Sequence, residues 1–160
     1  MPPRFWWVGA FGGAAAGIVY LLVEEVSAVL GGRPVDEPLR LFAGVVLGAR
    51  ALGPALSAND ATVIGTLVAL IASIGFGLIF AWLVFRFTGL AATPGTLLIS
   101  GAAYGGALWL LIFYVLGVLF WPWLAQTNPE VQLVCAVVGF GTVLGACFVV
   151  AGIHRPPELE

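Results

Sequence analysis

Between Arg86 and Glu130 the chain carries no charged residue at all. A soluble fold cannot readily hide such a stretch, because about a quarter of the residues in water-facing domains are charged. The rest of the sequence points the same way: 61% of its 160 residues are hydrophobic and 9% are charged, with a mean hydropathy of +1.10. So few charges cannot cover a globule of this size, and lipid must bathe most of the surface. The net charge of −2 is too small to steer a partner. All six basic residues are arginines, scattered along the chain, which excludes the clustered basic face that nucleic acid requires.

Punctuation divides the apolar sequence into an all-α integral membrane protein of four transmembrane helices, expected at about 5–30, 61–85, 94–121 and 129–153 in a single membrane domain. Phe5, Trp6 and Trp7 supply an aromatic belt at the first entry, and Gly31-Gly32 stops that helix. Asp60 is expected to cap the second span, which ends at Arg86. Thr93-Pro94 opens the third, which breaks at Trp121-Pro122-Trp123. Asn128-Pro129-Glu130 combines a cap, a proline at the first position and an acid in the first turn, a strong start for the fourth. Each span suffices for about 30 Å of hydrocarbon. The start does not read as a cleaved leader: Arg4 and Ala14-Ala15-Ala16 imitate one, but the apolar run continues past them, so a retained first span is expected.

The first connection is different. Asp36 can cap a short helix with Glu37 and Pro38 in its first turn, and Leu39, Phe42, Val46 and Ala49 follow at helical spacing. Arg40 and Arg50 make the stretch too charged to span, so 38–52 reads as an interfacial or half-inserted helix. Four crossings place both termini on one side. The arginines divide evenly between the sides, and the arginine-free Trp-Pro-Trp loop points to termini in the cytoplasm of a bacterial inner membrane.

Ala10-Phe11-Gly12-Gly13-Ala14 in the first span resembles Ala103-Tyr104-Gly105-Gly106-Ala107 in the third. Gly75-Phe76-Gly77 in the second resembles Gly139-Phe140-Gly141 in the fourth. The two matches are offset differently, by about the length of the first connection. A duplicated helical hairpin with an insertion in its first copy produces this pattern; chance likeness between Gly-rich spans is the other reading.

Candidate chemistry is sparse. Glu24 and Glu25 are the one acidic pair near a span. A carboxylate in hydrocarbon is costly, and normally marks a proton, ion or partner site. The alternative is that both meet the far interface, since about 28 Å of charge-free helix precedes them. The two point about 100° apart, and Glu24 shares a face with Gly17 and Tyr20. Arg33 and Arg40 can bind a lipid phosphate or another anion, or can pair with the acids of their own connection. Gly9, Gly13 and Gly17 recur at every fourth position, as do Gly101 with Gly105 and Gly141 with Gly145, which lets backbones approach closely in helix packing. Trp109, Phe113, Tyr114, Phe120 and Trp121 can line a pigment or quinone pocket, or pack against lipid and neighbours.

No metal, cofactor or catalytic set is expected. Cys135 and Cys147 lie about 18 Å apart on one helix, well beyond the roughly 7 Å limit for a disulfide, and read as small apolar fillers. His154, the sole histidine, sits beside Arg155 on the tail, where no Ser-His-Asp set can form around it.

Tyr104-Gly105-Gly106-Ala107-Leu108-Trp109-Leu110, Phe120-Trp121-Pro122-Trp123, Gln126-Thr127-Asn128-Pro129 and Val131-Gln132 resemble a group of small bacterial four-helix membrane proteins, YagU-like in layout, as does Gly75-Phe76-Gly77-Leu78-Ile79-Phe80-Ala81. Members carry a histidine in the second span and another in the fourth, where this chain has Ala69 and Ala136. The resemblance therefore implies the four-helix architecture and no histidine-dependent activity. The leading expectation is a non-catalytic membrane subunit that packs with itself or with larger membrane partners amid lipid. Its rival is a small proton- or ion-coupled transporter or channel that uses the first-span acids.

Overall fold

The computed structural model describes residues 1–153, with the backbone alone described at Ala125 and Gln126. The expectations for His154 and Arg155 fall outside the described residues. Within them the chain is helical, with no strand: α1 (Pro3–Leu30), α2 (Glu37–Leu47), α3 (Ala58–Arg86), α4 (Pro94–Phe120) and α5 (Pro129–Val150). Four of these, α1, α3, α4 and α5, are long and apolar enough to cross a membrane, so the chain is a multi-pass membrane helix bundle. Its exterior is oily: Ile71 is 69% exposed, Val118 68% and Val150 88%. In water these side chains would be a large liability; facing acyl chains they cost nothing.

Local chemistry sets the helix starts. Thr93 and Thr96 form a reciprocal capping box, Thr96 N donating to Thr93 Oγ1 (3.1 Å) and Thr93 N to Thr96 Oγ1 (2.8 Å). Asn128 Oδ1 accepts from the backbone N–H groups of Glu130 and Val131. Two expected caps are corrected. Ser57, not Asp60, caps α3, because Ser57 has the extended backbone a cap needs and its Oγ accepts from Asp60 N (3.1 Å). Asp36 precedes α2 with a helical backbone and makes no capping bond; its carboxylate instead accepts from Arg40 Nε at 2.8 Å. At the end of α1, Gly32 adopts φ +70°, a left-handed conformation that costs glycine little.

Helix α1 packs along α3, α4 packs along α5, and α1 against α5 joins the two pairs. At one end of the bundle Arg4 donates to the Ala151 carbonyl and the Phe5 and Phe85 rings meet edge to face at 5.6 Å. At the other end lie α2, the tight turn Gly48–Leu52 and the tight turn Pro122–Gln126. The core sits toward the first end, where Phe80 meets Phe148 at 5.2 Å and Tyr104 at 5.1 Å. Without a hydrophobic driving force between helices in lipid, such contacts hold through dispersion and close fit.

The glycine faces are used inside the chain. Gly77 packs on the Gly9 carbonyl, and a Cβ added there would lie 2.7 Å from Gly13 Cα. Gly141 packs on the Gly101 carbonyl in the same way, and its Cβ would lie 3.1 Å from Gly105 Cα. The two hairpins thus repeat one contact, with Gly9, Gly13 and Gly77 matching Gly101, Gly105 and Gly141. The first helices correspond one residue out of register with the Ala10 and Ala103 motif match, because packing follows glycine position rather than motif likeness.

A second offset arises within α5. Gly13 sits over the Ser73 carbonyl and Gly77, four positions apart on α3; Gly105 sits over the Ala136 carbonyl and Gly141, five apart on α5. The extra residue is absorbed in the π-helical segment Cys135–Thr142, a wide turn of the kind that one inserted residue creates. Thr142 Oγ1 donates to the Val137 carbonyl there at 2.9 Å. Helix α4 has its own π-helical segment at Leu111–Leu116.

Candidate functional site

The first-span acids part company. Glu24 is 2% exposed, while Glu25 is half-buried on an adjoining face. Glu24 lies six residues before the end of α1, about 9 Å along the helix, under the cover of α2. Tyr20, one turn earlier on the same face, meets Phe42 of α2 edge to face at 6.1 Å.

Gln132 of α5 completes the group. Its Nε2–H donates to Glu24 Oε2 at 2.9 Å, and its Oε1 accepts from the Tyr20 hydroxyl at 2.7 Å. One amide thereby joins two residues of α1 to α5, and is itself 7% exposed. Cys135, 1% exposed, adjoins the carboxyl from the next turn of α5. The wide turn of α5 decides that Gln132 takes part. In an unbroken α-helix Leu133 would occupy its place, and Gln132 would turn about 100° away.

The second oxygen, Glu24 Oε1, is buried and has no hydrogen-bond partner among the described residues. Native interiors rarely leave a carboxyl oxygen so. Glu24 also lines a cavity of about 190 Å³, with Tyr20, Gln132 and Ala136 on one side and Ala69, Ala72 and Ser73 on another. Phe42 of α2, Phe76 of α3, Trp109, Phe113 and Trp121 at and beyond α4, and Phe140 of α5 supply an aromatic wall. Trp109 Nε1 is a further buried atom without a partner among the described residues. Every element from α1 to α5 contributes, which is the geometry of a partly open binding site between helices. Ala69 and Ala136 both face this space.

The other candidates fall elsewhere. Arg33 Nη1 binds Glu37 Oε1 at 3.2 Å. Arg40, besides holding Asp36, donates through Nη1 to the carbonyls of Gly53 (3.2 Å) and Leu56 (2.9 Å), tying the α2–α3 connection together. Both arginines are thus engaged by their own connection. Gly9, Gly13, Gly17, Gly101, Gly105, Gly141 and Gly145 pack α1 on α3 and α4 on α5. Of the third-span aromatics, Trp109, Phe113 and Trp121 line the cavity, while Tyr114 and Phe120 are exposed.

Gln132 is not among the residues whose chemistry the sequence singles out, although a signal for it is present. It is the sole amide side chain within α5, and polar residues in a span seldom lack a partner. Chemically the group can hold a proton on Glu24, or accept a hydrogen bond at Oε1 from something that enters the cavity. No protein family, curated protein or solved structure matches the chain, so the site is read from its own residues.

Proposed function

We propose that this chain is a non-catalytic membrane carrier that admits a small, largely apolar molecule into the bundle and holds it against the Glu24 carboxyl. The observation that carries this reading is the pairing of a buried, half-satisfied carboxyl with a cavity whose wall is otherwise mostly apolar. Its volume of about 190 Å³ somewhat exceeds the roughly 150 Å³ of an apolar protein cavity that takes up benzene. A bicyclic aromatic is therefore of suitable size. Glu24 is the group that exchanges a proton or an ion as the molecule enters and leaves, the rival role weighed for the first-span acids. We place the chain in a bacterial cytoplasmic membrane with both termini inside, on the strength of the arginine-free loop near Pro122. The likeness to YagU-like proteins is compatible with this proposal and adds no activity to it.

The test is binding. In lipid nanodiscs, bromonaphthalene should quench the Trp109 and Trp121 fluorescence saturably, above the background from dissolution in the bilayer. Ala72→Leu, which fills the cavity, should remove the saturable part. Quenching that is linear in probe concentration and indifferent to Ala72→Leu would remove the support for a binding cavity.

A second reading, a subunit that packs with itself or with larger membrane partners, is favoured by an open groove on the outer face of α1 and α5. Gly12, Ala15, Ala146 and Cys147 line it, small enough for another helix to approach. Blue-native gels in mild detergent test it; a strictly monomeric species would count against it.

A further inference from the structure

We infer that the molecule admitted beside Glu24 is a lipophilic ammonium ion, its N–H directed to Glu24 Oε1 and its hydrocarbon body against the aromatic wall. This inference rests on the reading of the cavity as a binding site, and adds the chemical class of the occupant.

Three observations lead to it. The first is the second carboxyl oxygen: Gln132 occupies Oε2, the Tyr20 hydroxyl donates to Gln132, and Oε1, buried with the Cys135 thiol beside the carboxyl, accepts no hydrogen bond among the described residues. An ionised carboxylate can only accept hydrogen bonds, so the complementary group is a donor.

The second is the missing counter-ion. A buried carboxylate is normally paired with a cation. Among the described residues no arginine lines the cavity, and Arg33, whose charge reaches Glu24 from the neighbouring connection, is held by Glu37. The protein supplies a negative group and leaves its positive partner to come from outside.

The third is the wall. Phe42, Phe76, Trp109, Phe113 and Phe140 surround the space, and aromatic faces attract organic cations while accepting hydrocarbon. An anion would meet the Glu24 charge. A neutral hydrocarbon would fill the space and leave Oε1 unpaired. An ammonium with an apolar body satisfies both, and an acceptor elsewhere on it would meet the free Trp109 N–H.

The experiment compares two isosteres, naphthylmethylammonium and naphthylmethanol, by tryptophan quenching in nanodiscs of neutral lipid. The ammonium should bind the wild-type chain at least about tenfold more tightly than the alcohol, the scale of a hydrogen bond to a charged group. Glu24→Gln should abolish that preference. Glu25→Gln should leave the preference intact. If both probes bind saturably but equally to wild type, the ammonium inference is overturned while the cavity reading stands. If neither binds saturably, both fall. Should Glu24→Gln not fold, Ala72→Leu with Glu24 in place decides: it must exclude both probes, and ammonium binding that survives it belongs to the surface and overturns the inference.

Discussion

The Gln132 amide donates to the Glu24 carboxyl across 2.9 Å, although 108 positions separate the two residues in the chain. This bond and the Tyr20–Gln132 bond join α1 to α5 at the end of the bundle where the cavity lies. Gln132→Leu should therefore lower stability by about 1–2 kcal/mol, since it leaves the buried Glu24 carboxyl and the Tyr20 hydroxyl without their partner. Combining it with Glu24→Leu and Tyr20→Phe should recover most of the loss, because removing all three polar partners together is nearly neutral. Thermal unfolding in detergent measures each variant. An unchanged midpoint for Gln132→Leu would show that the bond carries no weight.

Deleting Val138, an exposed residue of the wide turn, should be tolerated. The loss of one residue returns the segment to an ordinary α-helix and keeps Gln132 in place. Deleting Ile71 of α3, equally exposed to lipid but without a spare residue in its helix, should shift the N-terminal part of α3 by one position and abolish folding. Detergent gel filtration distinguishes them, and equal behaviour of the two deletions would refute the insertion.

Gly77→Ala and Gly141→Ala should each destabilise the bundle by about 1–3 kcal/mol through overpacking, since each added Cβ would press on a neighbouring backbone. Gly75→Ala meets no atom within 4 Å and should be neutral or slightly stabilising. Unfolding midpoints that fail to separate Gly75 from the other two would contradict the close approach.

Arg40→Lys should loosen the connection between α2 and α3. A lysine amine cannot hold Asp36 while reaching the Gly53 and Leu56 carbonyls, which the forked guanidinium does. Limited proteolysis should cut the 48–57 segment several-fold faster than in wild type. An identical rate would place the hold on that segment elsewhere.

Transport separates the acids. In proteoliposomes with an imposed pH gradient, uptake of naphthylmethylammonium above that of protein-free liposomes should be lost in Glu24→Gln and kept in Glu25→Gln. The physical basis is the burial of Glu24 in the cavity against the partial exposure of Glu25. Equal uptake by both variants and by wild type would remove Glu24 from the carrier cycle.

Much of the architecture could be read from one dimension. Hydropathy and the absence of charge dictate four crossings, because lipid accepts only backbone that satisfies itself within helices. Thr93-Pro94 and Asn128-Pro129 mark helix starts through contacts only a few residues long. Even Glu24 stood out, as an acid in an apolar helix is conspicuous by its cost alone.

What only the tertiary structure decided is which polar groups meet. Ser57 rather than Asp60 caps α3 because backbone geometry, not residue type, selects the cap. Arg40 turns to carbonyls of its own connection because the chain folds back upon it. Gln132 reaches Glu24 only because one extra residue in a wide turn of α5 restores its facing, an adjustment that helical periodicity does not display. A cavity, likewise, is a volume left between helices, and no single helix encodes it. Composition determines the solvent and the number of crossings; rotation and register, set by contacts between remote residues, determine the chemistry inside.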